Sequence, residues 1–118
     1  MGEKLRVYGI KNCDTMKKTF KLLDANEVDY EFVDYKKVKP STELIESLLE
    51  KVELGALVNK RGTTFRKLSE EEKEHLDEKE KAIPLLIENS SMIKRPVMVY
   101  PDGEVLVGFN EERIIDKK

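Results

Sequence analysis

At 118 residues, 39% of them charged and with a formal net charge of −2, the chain suits one domain with one core and shows no excess of positive charge for direct nucleic-acid binding. No run of about 18 apolar residues is present, so no membrane-spanning helix is expected. No apolar leader precedes the first strand, and a single cysteine cannot close an internal disulfide, so a cytoplasmic, reducing setting is expected.

Residues 5–9, Leu-Arg-Val-Tyr-Gly, form the first strand candidate, and a helix is expected from about 13 to 25. Asn12 is a good N-cap by propensity, which would make Cys13 the first helical residue. Met16, Phe20 and Leu23 recur on one helical face. Residues 28–33 alternate apolar and polar as a strand does, completing a right-handed parallel crossover.

Pro40-Ser41 opens a second helix with Leu44, Ile45, Leu48, Leu49 and Val52 as its apolar stripe. Gly55 marks a break before a short helix starting at Ala56. Residues 61–68 read as a basic loop in which Gly62 permits a positive φ, so that backbone N–H groups could cradle an anion. Ser69 and Glu72 form a capping box ahead of a charged, exposed helix. His75 within it is read as solvated, and no spacing of His, Cys, Asp or Glu points to a metal. Residues 82–89 suggest a helix with Pro84 in its first turn. Strands at 97–100 and 104–107 flank a Pro-Asp-Gly turn as an antiparallel hairpin, and a last short helix covers 110–115.

Cys13 carries the chemistry. A thiol at a strand-to-helix junction feels the first-turn N–H groups and the positive end of the helix dipole, and both favour the thiolate. Lys11, Lys17 and Lys18 lie nearby, while Asp14 opposes them. Met16 stands three residues on, where a two-cysteine redox site carries its second thiol, so a reaction at Cys13 must finish on an outside thiol. Thr15 could give the sulfur a hydroxyl hydrogen bond. Segments 11–18, 60–67 and 94–95 hold nine Lys or Arg against one acid, and their convergence would make an anion-attracting site. Arg95 would offer a guanidinium fork to an oxyanion or to the thiolate.

Four stretches, 8–18, 61–68, 93–96 and 107–112, together resemble the arsenate reductase (ArsC)-like family, and within it the Spx/YffB branch. The resemblance implies an α/β, thioredoxin-like fold: β-α-β then β-β-α around a mixed sheet, as one domain over 1–118 with a helical insertion at roughly 41–92. It implies a catalytic Cys13, an anion-facing Arg95 and a cis Arg95–Pro96 bond. Two further arginines of arsenate reductases fall at Asn59 and Gly108 here, which argues against arsenate reduction, although Arg61 could substitute from a shifted loop.

The leading expectation is a glutathione-dependent monothiol reductase. Cys13 is its nucleophile, and Lys11, Lys60, Arg61 and Arg95 attract substrate. Asn12 and Thr15 support the cysteine loop, and Pro96 shapes the substrate-facing backbone. Glutathione is the expected co-substrate, with an oxidised thiol as the other partner, no tightly bound cofactor, and a monomeric chain. The alternatives are a regulator binding the RNA polymerase α-subunit, as Spx-type members do, and an arsenate reductase.

Overall fold

The computed structural model describes residues 4–116. The chain divides into two compact units, one made of residues 1–34 with 95–118 and the other of residues 35–94.

The first unit holds a four-stranded mixed sheet. Strand β1 (Leu5–Gly9) leads into helix α1 (Asp14–Ala25) and then β2 (Tyr30–Asp34). After the second unit come β3 (Val97–Val99) and β4 (Val105–Val107). The strand order is β2-β1-β3-β4. β1 lies parallel to β2, with Val7 opposite Phe32, and antiparallel to β3, with Val7 opposite Met98. The β3–β4 hairpin pairs Met98 with Leu106. The β-α-β then β-β-α order around a mixed sheet is the thioredoxin-like fold that the family resemblance implies.

β1 is central and buried on both faces at Val7 and Tyr8, which is why it reads as a nearly continuous apolar run. Leu5, Val7, Met16, Leu23, Met98, Tyr100, Leu106 and Ile114 form one apolar cluster. Of the expected stripe on α1, Met16 and Leu23 are fully buried. Phe20 is half-buried and packs on β2, parallel to Tyr30 at 5.8 Å and edge-on to Phe32 at 4.8 Å. β2 begins two residues later than expected because the end of α1 uses the preceding backbone. The Val28 N–H donates to the Leu23 carbonyl at 3.0 Å, and Glu27 turns at a φ of 56°.

Gly9 closes β1 where the chain turns toward Cys13, and Met16 fills the space above it. A Cβ on Gly9 would lie 2.6 Å from Met16 Sδ and 2.9 Å from its Cε. Gly9→Ala must therefore displace the flexible end of a fully buried side chain. A loss of about 1–3 kcal/mol is expected, read as a lower urea midpoint with an unchanged slope.

The second unit is helical. It holds α2 (Thr42–Leu49), α3 (Leu54–Leu57), α4 (Thr63–Arg66), α5 (Glu70–His75) and α6 (Lys79–Glu88), followed by a 3-10 turn over Ser90–Met92. Ser41 caps α2 by accepting from the Leu44 N–H at 3.0 Å, and Ile45 and Leu48 are the fully buried part of its stripe. The Ser69–Glu72 capping box on α5 forms in both directions, at 3.0 and 3.1 Å. His75 is half-buried.

Three local expectations are corrected in this unit. Gly55 lies inside α3 rather than before it, and α3 stops at Leu57 because Val58 turns extended to bridge Ile93. Gly62 keeps a φ of −80° and caps α4, so the expected anion-cradling loop is a single helical turn. Pro84 is the sixth residue of α6, not part of its first turn, because the helix starts at Lys79 with the Glu78 carbonyl accepting from Ala82 at 2.8 Å. The carbonyl that Pro84 leaves without a helical donor belongs to Glu80, an exposed residue where water can serve. Buried Ala82, Ile83 and Leu86 hold the helix across this defect. In the first unit, helix α7 (Glu111–Asp116) ends the described chain close to the expected span.

Candidate active site

Cys13 is the N-cap of α1, with extended backbone angles of φ −127° and ψ 133°. Propensity favours Asn12 in that place, but the cap falls one residue later and the first helical residue is Asp14 rather than Cys13. The one-residue difference matters chemically. An N-cap side chain sits where an acceptor oxygen would receive the second and third N–H groups of the helix. Here a sulfur occupies that position.

The Cys13 side chain makes no hydrogen bond of cap geometry, yet the N–H groups of the first turn act on its ionisation. Burial of the half-exposed sulfur is the largest single influence and pushes its pKa up. The backbone N–H groups of Met16 and Thr15, then the charge of Arg95 and a hydrogen bond donated by its guanidinium, act in the other direction. Together these outweigh burial, and the Cys13 pKa lies below the ordinary thiol value. Arg95, rather than the neighbouring lysines, supplies the side-chain charge. Thr15 acts through its main-chain N–H, while its carbonyl accepts from the buried Thr19 hydroxyl at 2.8 Å.

Arg95 is half-buried and immediately precedes buried Pro96 at the start of β3, and their peptide bond is cis. The Pro96 carbonyl accepts from the Gly108 N–H at 2.8 Å, which joins the approach to β3 to the end of β4. Gly108 has a φ of 87°, a conformation that a side-chain-bearing residue rarely adopts. Lys11 and Asn12 are both exposed in the turn between β1 and α1.

Cys13, Thr15, Arg95 and Pro96 are therefore gathered in the first unit, with Lys11 and Asn12 on the adjoining turn. Lys60 and Arg61 belong to the second unit. There they line a cavity of about 440 Å³ with Gly55, Val58, Asn59 and Lys94. Two of the basic segments thus meet within that unit, with no acid among the lining residues. The backbone beneath is pinned by the Lys94 N–H donating to the Leu57 carbonyl at 2.8 Å and the Asn59 N–H donating to the Met92 carbonyl at 2.6 Å. Asn59 Oδ1 accepts from the Arg61 N–H at 3.1 Å. Lys94 belongs to one of the basic segments noted in the sequence, and Asn59 is the position at which the resemblance places an arginine.

Met16, at the position of a second redox thiol, is fully buried in the core against Gly9. No group of His, Cys, Asp and Glu among the described residues could hold a metal ion. No helix among them is long and apolar enough to cross a membrane.

The ArsC family model matches residues 8–116. A protein of Haemophilus influenzae, described as uncharacterized, is 41% identical over 108 residues, spanning 92% of this chain and 93% of its own. The solved structure of a protein named YffB is 42% identical with a TM-score of 0.88, over 95% of this chain and 96% of that one. The solution structure of an arsenate reductase (ArsC) related protein from Brucella melitensis is 39% identical with a TM-score of 0.75, over 97% and 93% of the two chains. With its lone cysteine on the cap of α1 and its arginine ahead of a cis proline, the chain belongs to the ArsC family.

Proposed function

We propose that this protein is a thiol-dependent reductase working through Cys13 alone, with glutathione as the thiol that completes each turnover. The observation that carries the reading is the Cys13 sulfur on the cap of α1, held toward the thiolate by two backbone N–H groups and the Arg95 guanidinium. A thiolate of lowered pKa is both more populated at neutral pH and a better leaving group.

In the first step the Cys13 thiolate attacks the sulfur of a mixed disulfide that carries glutathione. The old S–S bond breaks, the target leaves as a thiolate that takes a proton from water, and Cys13 holds glutathione in a new disulfide. A second glutathione thiolate then attacks that disulfide, releasing oxidised glutathione and restoring the Cys13 thiolate. In each cycle the incoming glutathione sulfur is oxidised and the target sulfur is reduced to its thiol, while the first glutathione stays at the disulfide level throughout. The single cysteine of the sequence suits this route, because no internal thiol competes to resolve the intermediate.

Arsenate as the substrate is less well supported. Positions expected to carry the two further arginines hold Asn59, which accepts from the Arg61 backbone, and Gly108, whose φ of 87° disfavours any side chain. The discriminating experiment couples turnover of a glutathione mixed disulfide to NADPH oxidation through glutathione reductase. The expected result is turnover that saturates in the mixed disulfide and requires glutathione. Absence of turnover, alongside recovery of the RNA polymerase α-subunit in a pull-down that Cys13→Ser does not weaken, would replace the enzyme by a binding protein.

A further inference from the structure

Helix α1, which carries Cys13 on its cap, buries one polar side chain. Among the described residues Thr19 is the buried residue whose side chain is neither apolar nor aromatic. Its hydroxyl donates to the Thr15 carbonyl at 2.8 Å. Inside α1 the main-chain N–H of Thr19 points at that same carbonyl, four residues back. The Thr15 carbonyl thus has two donors where a helix supplies one. A buried hydroxyl must find an acceptor, and a helical threonine often finds this one. What sets Thr19 apart is where the other end of the peptide leads.

The Thr15 carbonyl and the Met16 N–H are the two ends of one planar peptide group. Cys13 is the N-cap, so Thr15 and Met16 are the second and third helical residues, whose N–H groups face a cap side chain. Of the groups that favour the thiolate, the Met16 N–H acts most strongly. A donor on the carbonyl end of a peptide draws electron density from its nitrogen and makes the N–H a stronger donor, by about 10–30% per bond. One chain of polar groups therefore runs from the Thr19 hydroxyl through the Thr15–Met16 peptide to the Cys13 sulfur. With Thr19 fully buried, water cannot replace its first link.

We propose that Thr19 is a positioning residue for the reactive sulfur, its hydroxyl polarising the Thr15–Met16 peptide so that the Met16 N–H donates more strongly to the Cys13 thiolate. This inference rests on the reading of Cys13 as the working nucleophile and adds a buried residue to its control. Among charged side chains, Arg95 ahead of β3 acts on the sulfur. Lys11 in the turn after β1, and Asp14, Lys17 and Lys18 on α1, are exposed close by in the chain. All of them keep their charge when Thr19 is replaced, so a change in the acidity of Cys13 reports on the peptide.

The test separates the hydroxyl from the packing. Thr19→Val keeps a β-branched side chain of similar size and removes the hydroxyl, whereas Thr19→Ser keeps the hydroxyl and removes the methyl group. Alkylation of the whole protein by iodoacetamide across a pH series should give the parent and Thr19→Ser the same midpoint. Thr19→Val should be displaced upward by about 0.3 in pH, which is about a twofold lower rate on the acid side. Thr19→Ser should unfold at lower urea for want of a buried methyl group, with its alkylation midpoint unmoved. Thr19→Ala differs from Thr19→Ser by the hydroxyl alone and should match Thr19→Val, which keeps the comparison sound if valine disturbs the core.

Coincident midpoints in the parent and the two variants without a hydroxyl overturn the inference. So does an equal displacement in Thr19→Ser, which would trace the effect to packing. Either result, alongside mixed-disulfide turnover by the parent, leaves the reductase reading standing. A parent midpoint at the ordinary thiol value of about 8.5 removes the ground for that reading instead. A gap between Thr19→Ser and Thr19→Ala would uphold the role of the hydroxyl even then.

Discussion

Cys13→Ser is expected to lower glutathione-dependent turnover by at least about a thousandfold, because a hydroxyl neither ionises near neutral pH nor forms the mixed disulfide. The fold should survive, since the substitution preserves shape at a half-exposed cap. Serine is among the best N-cap residues and cysteine is not, so the variant can gain a cap hydrogen bond to the first turn of α1 that the Cys13 side chain does not make. At low pH the variant should therefore equal or slightly exceed the parent in stability.

The comparison changes with pH in a direction that the site dictates. The folded-state pKa of Cys13 lies below its ordinary value. Its thiolate thus adds stability that is fully present above the unfolded-state pKa of about 8.5 and is lost as pH falls through the folded value. Stability of the parent relative to Cys13→Ser should rise with pH through that window and level off above it. Urea denaturation of both proteins in reducing buffer across a pH series measures this directly. A flat difference would mean that the folded structure does not favour the thiolate.

How much of this was readable beforehand depends on the range of the interaction involved. The crossover of β1, α1 and β2 and the hairpin were legible because apolar periodicity and turn residues are local signals. Cys13 was legible as the candidate nucleophile because it is the sole cysteine and lies where a strand meets a helix. Its role as the cap itself was not, since propensity favours Asn12 there and only the path of the backbone decides which residue ends outside the helix. The displaced Pro84 shows the same limit. A run of helix formers and three buried side chains outweigh one missing hydrogen bond, a balance set by packing within the unit. The packing of Met16 on Gly9 joins positions seven residues apart with no periodic relation, so neither residue announces the other. The pairing of Lys94 with Lys60 and Arg61 likewise depends on the bridge between Val58 and Ile93, a contact that no local pattern encodes.

Removing Arg95 should separate the two tasks assigned to it. In Arg95→Ala the thiol loses a neighbouring positive charge and a hydrogen-bond donor, both of which favour the anion, so its pKa must rise. The N–H groups of Met16 and Thr15 act more strongly than the guanidinium and remain in place, so the rise should be partial. Alkylation by neutral iodoacetamide reports this as a pH profile displaced to higher pH, with a rate at neutral pH lower by about threefold to tenfold. Anionic iodoacetate adds a second readout, because it also senses the charge that attracts substrate. Its rate should fall further than that of iodoacetamide, and kcat/KM for an anionic mixed disulfide should follow iodoacetate. Arg95→Lys keeps the charge but not the planar fork, so it should restore the iodoacetate ratio more fully than the iodoacetamide profile. If both reagents slowed equally in Arg95→Ala, the arginine would serve the sulfur alone, and anion recognition would have to come from another cation such as Lys11.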